Sequence, residues 1–203
     1  HGKHLDCPTL QLANHHGLMI AGEAALSNWD AGMDMYIYGK LGNLIMTKEG
    51  INVLMTNLTG KVPPILQRLD YIRFNGEAAG YLHDLTLTGL FYTGAGMVKT
   101  DVMMSIDEQS MSRTYSGSVA SADLDLGKLL NQEKKFGKVD FNVELKGFNY
   151  KNRYPESYIK GIISSFEYSQ YQYENIMLDG VYKDGGFNGR LSMDDANGSV
   201  QID

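Results

Sequence analysis

Val139-Asp140-Phe141-Asn142-Val143-Glu144-Leu145-Lys146 alternates apolar and polar side chains without a break. A period of two is that of a strand, and it sets Val139, Phe141, Val143 and Leu145 on one face. Gly147 then ends or bends the run. Further on, Ile176 and Leu178 begin a second alternating run that reaches Tyr182, and Phe187, Gly189, Leu191 and Met193 continue the pattern after Lys183-Asp184-Gly185-Gly186. Asp-Gly between two alternating runs is a strong hairpin signal, because a type I′ turn needs positive φ at both central positions.

The middle of the chain reads in the same way. Leu85, Leu87 and Phe91 lie at strand spacing, Thr93-Gly94-Ala95-Gly96 predicts a turn, and Met97 to Ile106 predicts the next strand. Nearer the N-terminus, Met33 to Tyr38 and Ile51 to Leu58 are expected as strands, with Lys48-Glu49-Gly50 turning before the second. Two short helices are expected, over Pro63 to Leu69 with proline in its first turn and over Asp125 to Asn131. The expectation is an antiparallel all-β chain, with residues 1–203 a single β-rich section. Each apolar face must be covered, either by a second sheet, as in a β-sandwich, or by the curvature of one sheet together with an apolar ligand.

Composition limits the function classes. Among 203 residues, 43% are hydrophobic and 21% charged, which is a globular balance. The net charge of -6 argues against nucleic acid as a partner, since phosphate backbones are met by clustered Lys and Arg. A lone cysteine, Cys7, permits no internal disulfide. Neither a bilayer-length apolar run nor a signal peptide is seen, and the chain begins with His, so it is expected to be one part of a longer protein. Twenty-three Gly, four Pro and thirteen Tyr favour many strands with tight connections.

Motifs that would carry chemistry are incomplete. His1, His4, His15 and His16 with Cys7 lack metal-ligand spacing, so no metal is expected. Asp195-Ala196-Asn197-Gly198 resembles part of a calcium loop, but Met193 stands at its first ligand position, and a turn is expected instead. Gly94-Ala95-Gly96 lacks the third glycine of a dinucleotide fingerprint, and His83-Asp84 has no nucleophile elbow to join. No catalytic residue and no cofactor are expected, and the chain is read as a non-enzyme. Eleven methionines, among them Met33, Met35, Met55, Met103, Met104 and Met177, suit either core filling or a surface that accepts varied apolar ligands. Exposed tyrosines at 168, 171 and 173 would signal a carbohydrate-binding β-domain, and Tyr171 and Tyr173 share a strand face.

A set of segments carries a resemblance. Gly39-Lys40-Leu41-Gly42-Asn43-Leu44 leads to Asn57-Leu58-Thr59, followed by Leu69-Asp70-Tyr71-Ile72-Arg73-Phe74-Asn75-Gly76. Later come Leu124-Asp125-Leu126-Gly127-Lys128-Leu129-Leu130 and the run from Tyr171 through Tyr173, Asn175 and Ile176 to Leu178-Asp179-Gly180. From about Leu18 onward the chain resembles the central region of the TamB-like (translocation and assembly module) proteins of Bacteroidetes, relatives of the AsmA-like family. The resemblance implies an elongated, curved antiparallel sheet with an apolar concave face, in a periplasm-spanning conduit for lipid. It implies a parent protein anchored in the inner membrane of a Gram-negative bacterium and active in outer-membrane biogenesis. Its partners would be phospholipid acyl chains and, as an alternative role, outer-membrane barrel proteins that it would help to assemble. Phe141, Val143, Leu145, Ile176 and Leu178 are the expected lining of the lipid groove.

Overall fold

The computed structural model describes residues 3–107, 109–110, 112–149 and 156–203. Twelve strands form one antiparallel sheet in which every strand pairs only with its sequence neighbours. In order they are β1 (His4–Ala13), β2 (Leu18–Ser27), β3 (Tyr36–Thr47), β4 (Tyr71–Tyr81), β5 (Asp84–Thr93) and β6 (Gly96–Ile106). The second half comprises β7 (Arg113–Asp125), β8 (Phe136–Asn149), β9 (Glu156–Tyr168), β10 (Tyr171–Lys183), β11 (Gly186–Asp195) and β12 (Gly198–Ile202). Outer strands β1 and β12 do not meet, so the sheet is open. The β-sandwich alternative is therefore corrected: among the described residues there is no second sheet, because alternation specifies a face and not what covers it.

Local chemistry explains the turns. Lys183 pairs with Gly186 across Asp184-Gly185, whose φ values of 52° and 82° are the two positive angles of a type I′ hairpin. Thr93 and Gly96 close the β5–β6 turn, where Thr93 Oγ1 accepts from Ala95 N at 3.1 Å and donates to Gly96 O at 2.9 Å. At the β11–β12 turn the Asp195 carboxylate accepts from Asn197 N at 2.8 Å, an ordinary Asx turn.

Three sequence expectations need correction. Residues 51–58 lie in a helix, α1 (Lys48–Thr59), and not in a strand. Thr47 caps it by accepting from Gly50 N at 3.3 Å, and Gly60 stops it in the left-handed region at φ 74°. The apolar residues at 51, 54, 55 and 58 follow the helical spacing, which outweighs the β preference of Ile51 and Val53. Before β3, residues 32–34 form a single 3₁₀ turn, and the strand begins at Tyr36 rather than Met33. The helix expected over 63–69 contracts to a 3₁₀ turn at Leu66–Arg68, since Pro64 disfavours helical geometry in the residue before it. The second expected helix is present as α2 (Leu126–Leu130), capped by Asp125, which accepts from Lys128 N at 2.8 Å.

Both helices lie at one end of the sheet, beside the connections β3–β4 and β7–β8. There they build the packed core: Ile51 of α1, Leu69, Ile72, Ala95, Leu124 and Val139, with Leu126 and Leu129 of α2 against them. Ile51 is 1% exposed. Lys128 ties three connections together, reaching Asp70 at 2.7 Å and the Gly94 carbonyl at 3.1 Å, while Arg68 donates to the Leu129 carbonyl. The Lys128 ammonium holds the Asp70 carboxyl below its ordinary value. This end is a plug. The opposite end carries only turns among its described residues, so the sheet has a closed rim and an open one.

Candidate functional site

Register across the sheet can be followed residue by residue. Phe141 pairs with Ser121 and Ile163, Ile163 with Ile176, and Ile176 with Met193. In the other direction Ser121 leads through Val98, Phe91, Phe74 and Leu44 to Ile20 and Leu12. Directly paired residues share a face, so this row crosses all twelve strands and ends at Val200 of β12. Ser121 is its one polar member, and that hydroxyl is turned to the Met97 carbonyl at 2.6 Å. A parallel row runs through Val143, Gly161, Leu178 and Leu191, and another through Leu145, Ile159 and Gly180. All five residues expected to line a groove therefore lie on one face. Val143, Leu145 and Leu178 are half-buried on its uncovered part, whereas Phe141 packs against the plug core and Ile176 is buried.

The reverse face is the more polar of the two. Its row through Glu23, Lys40, Glu77, Thr88, Asp101 and Ser118 continues to Glu144, Lys160, Asp179 and Arg190. Lys160 meets Asp179 at 3.1 Å, and Tyr158 donates its hydroxyl to the same carboxylate at 2.6 Å. These two donors hold the Asp179 carboxyl below its usual range, and the bond to Asp179 raises the Tyr158 phenol.

Glycines stand on the apolar face, at 76, 89, 117, 161, 180 and 189 among others; the sequence reading takes glycine mainly as a mark of turns and places Gly189 within a strand run. A Cβ on Gly76 would run into the Thr88 carbonyl and lie 2.6 Å from the Gly89 Cα. Empty positions on one side let the sheet bend towards that side, so the apolar face is the concave one. Aromatic rings reach over several of them. Phe74 covers Gly76 and Gly89, Phe187 covers Gly180, and Tyr115 crosses Gly147 to hydrogen-bond Ser157. The result is a trough with a floor of small residues and rings, blocked at the plug and uncovered elsewhere.

The molecule's surface reflects this shape. Its accessible area is 12851 Å², against roughly 9,500 Å² for a compact monomer of 22.6 kDa. A single curved layer leaves the excess. Eleven inter-strand steps of about 4.8 Å make the trough roughly 53 Å long.

One hydroxyl on the trough floor has no hydrogen-bond partner among the described residues: Thr100 Oγ1, between Gly89 and Val119. An unpaired buried hydroxyl costs about 1 kcal/mol. Thr100→Val is therefore expected to raise the Tm by roughly 2–4 °C in a thermal melt. A fall in Tm would mean that the hydroxyl is paired in solution.

The remaining candidates disperse. His4 bonds Ser27 Oγ at 2.7 Å, His16 lies 3.3 Å from Glu49, and Cys7 sits at a bulge in β1; His1 falls outside the described residues. Among the described residues no group of three His, Cys, Asp or Glu is placed to hold a metal ion. Tyr168, Tyr171 and Tyr173 are half-buried. They join Phe136 and Phe166 in one aromatic cluster, with Tyr171 and Tyr173 edge to face at 4.6 Å. Of the methionines, Met55 packs on the core, Met104 lies in the trough, and Met103 and Met177 stand on the reverse face. Among the described residues no helix is long and apolar enough to cross a membrane.

Fold and face together define a single-layer, open β-meander with one apolar concave surface. No family model matches the chain, and no curated protein or solved structure matches it either.

Proposed function

We propose that this chain is a section of a periplasm-spanning lipid conduit that supports phospholipid transport to the outer membrane, and its biogenesis, in a Gram-negative envelope. The supporting observation is the set of apolar rows that run from β1 to β12 on the concave face of an open sheet. Alkyl chains need no directional contact, and each CH₂ taken from water contributes about 0.8 kcal/mol. The bilayer's hydrocarbon core is about 30 Å across for two leaflets, so one acyl chain spans about half of that. A trough of roughly 53 Å therefore holds acyl chains one after another. That is the geometry of a path rather than of a single-ligand carrier. In this reading the parent protein is anchored in the inner membrane by segments other than these strands, in line with the resemblance to TamB-like and AsmA-like proteins.

The test is lipid loading. Protein purified without detergent is expected to release phospholipid on solvent extraction and, once stripped, to bind a fluorescent phospholipid. Val143→Asp and Leu178→Asp put a carboxylate on the floor and are expected to weaken that binding at least about tenfold. Ser192→Asp, on the reverse face, is expected to leave it unchanged. Absence of lipid from the native protein together with failure to bind the probe would sink the reading. Recovery of an outer-membrane barrel protein bound along β12, with no lipid, would move the assignment to a scaffold for barrel assembly.

A further inference from the structure

Eight large aromatic side chains are exposed among the described residues, and six of them gather at one rim. Trp29 stands in the β2–β3 connection, Tyr81 ends β4, and Phe148 and Tyr182 each lie one residue before the end of their strands. Tyr158 and Phe187 lie within the first three residues of β9 and β11. Their exposures run from 37% for Tyr158 to 46% for Trp29 and Phe148. All six are at the open rim. Only Tyr71 and Tyr92 stand near the plug.

The six are not confined to the trough lining. Tyr182 and Phe187 face the trough, but Tyr81, Phe148 and Tyr158 are on the reverse, more polar face. Aromatic residues on both faces of one rim make a belt. Trp and Tyr favour the level of lipid headgroups, where one end of the ring is in apolar surroundings and the other is wet. A rim that dips to that depth needs such residues on both sides, whereas a groove for a single ligand needs them on one.

Charge selects the surface. In the described connections at this rim, 28–35, 82–83, 107, 109–110, 112 and 184–185, Asp30, Asp34, Asp107 and Asp184 stand with no Lys or Arg among them, and Asp30 is paired with Lys3. An acidic rim gains nothing from an anionic membrane, which attracts basic segments. We propose that the open rim docks on an electrically neutral, zwitterionic bilayer surface through this aromatic belt, with the trough's mouth turned to the headgroup layer. Docking depends on the rim aromatics and not on a filled trough; because this rim follows the trough from β2 to β11, docking lays the trough along the bilayer, an arrangement separate from the upright one of the conduit reading.

Trp29 is the sole tryptophan, so it reports directly on the rim. With phosphatidylcholine vesicles its emission is expected to shift to the blue and to be quenched by brominated phosphatidylcholine, and the protein is expected to float with the vesicles. Tyr81→Ser with Phe148→Ser should lower vesicle partitioning at least about tenfold. Tyr71→Ser with Tyr92→Ser, of similar exposure at the other end, should leave it unchanged. Neither a shift nor flotation of the unaltered protein would overturn the proposal. So would binding that appears only when phosphatidylglycerol is added, or equal loss in the two variant pairs. Leu178→Asp separates the two ideas: lost phospholipid loading with flotation retained leaves the rim proposal standing on its own.

Discussion

Ile51→Ala is expected to destabilise the fold by about 3 kcal/mol, more than truncation of any residue on the uncovered part of the trough. Ile51 is almost wholly enclosed, at 1% exposure, and it is the helical residue around which Leu69, Ile72, Ala95, Leu124 and Val139 close. Around it, Lys128, Asp70, Gly94, Arg68 and Leu129 bond the connections into one unit, which resists collapse into the vacated space. The cost is therefore the lost transfer energy plus an unfilled cavity. A thermal melt should show a Tm lower by roughly 6–12 °C. Leu145→Ala in the open trough should cost less, because its side chain is already half in water. Equal losses at the two positions would mean that the trough is filled in solution.

Gly76→Val carries the second large effect, an expected loss of about 3 kcal/mol from overpacking. The atoms a side chain would meet are the Thr88 carbonyl and the Gly89 Cα, which are backbone, and the Phe74 ring, which is itself only 3% exposed. Neither strand can yield without parting the β4–β5 ladder. Gly39 lies on the same concave face, with nothing within 4 Å of a built Cβ. Gly39→Ala is accordingly expected to stay within about 0.5 kcal/mol of the unaltered protein. Urea denaturation of the two variants checks the contrast, and equal midpoints would refute the close approach of β4 to β5.

What could be read from the chain divides along physical lines. The runs 139–146 and 176–182 are legible because nothing interrupts their alternation, and Asp184-Gly185 is legible because few residue pairs accept two positive φ angles. Bulges obscure the rest. Register shifts between Cys7 and Leu10, Leu41 and Leu44, and Ser121 and Leu124 break the period of two in the sequence while leaving the face intact. α1 was hidden by β-branched residues, although Thr47 at its start and Gly60 at its end were available as caps. The five residues expected to line a groove share a face because periodicity fixes a face. Whether that face meets a second layer is a tertiary matter, and so the sandwich and the open trough read alike. Rim aromatics were invisible for another reason: 29, 81, 148, 158, 182 and 187 are far apart along the chain, and only the regular return of the strands brings them to one end.

The consecutive strand order has a consequence for how such a molecule changes size. Each hairpin contributes about 9.6 Å of trough and makes its ladder contacts only with the strands on either side. Away from the plug, a pair of strands inserted or deleted as a block shifts the remainder sideways without altering any other pairing, much as units do in a stacked-repeat protein. Reach is thus quantised in hairpins. Duplication of a short stretch of gene can lengthen the molecule stepwise, with the greasy side kept in phase at every addition.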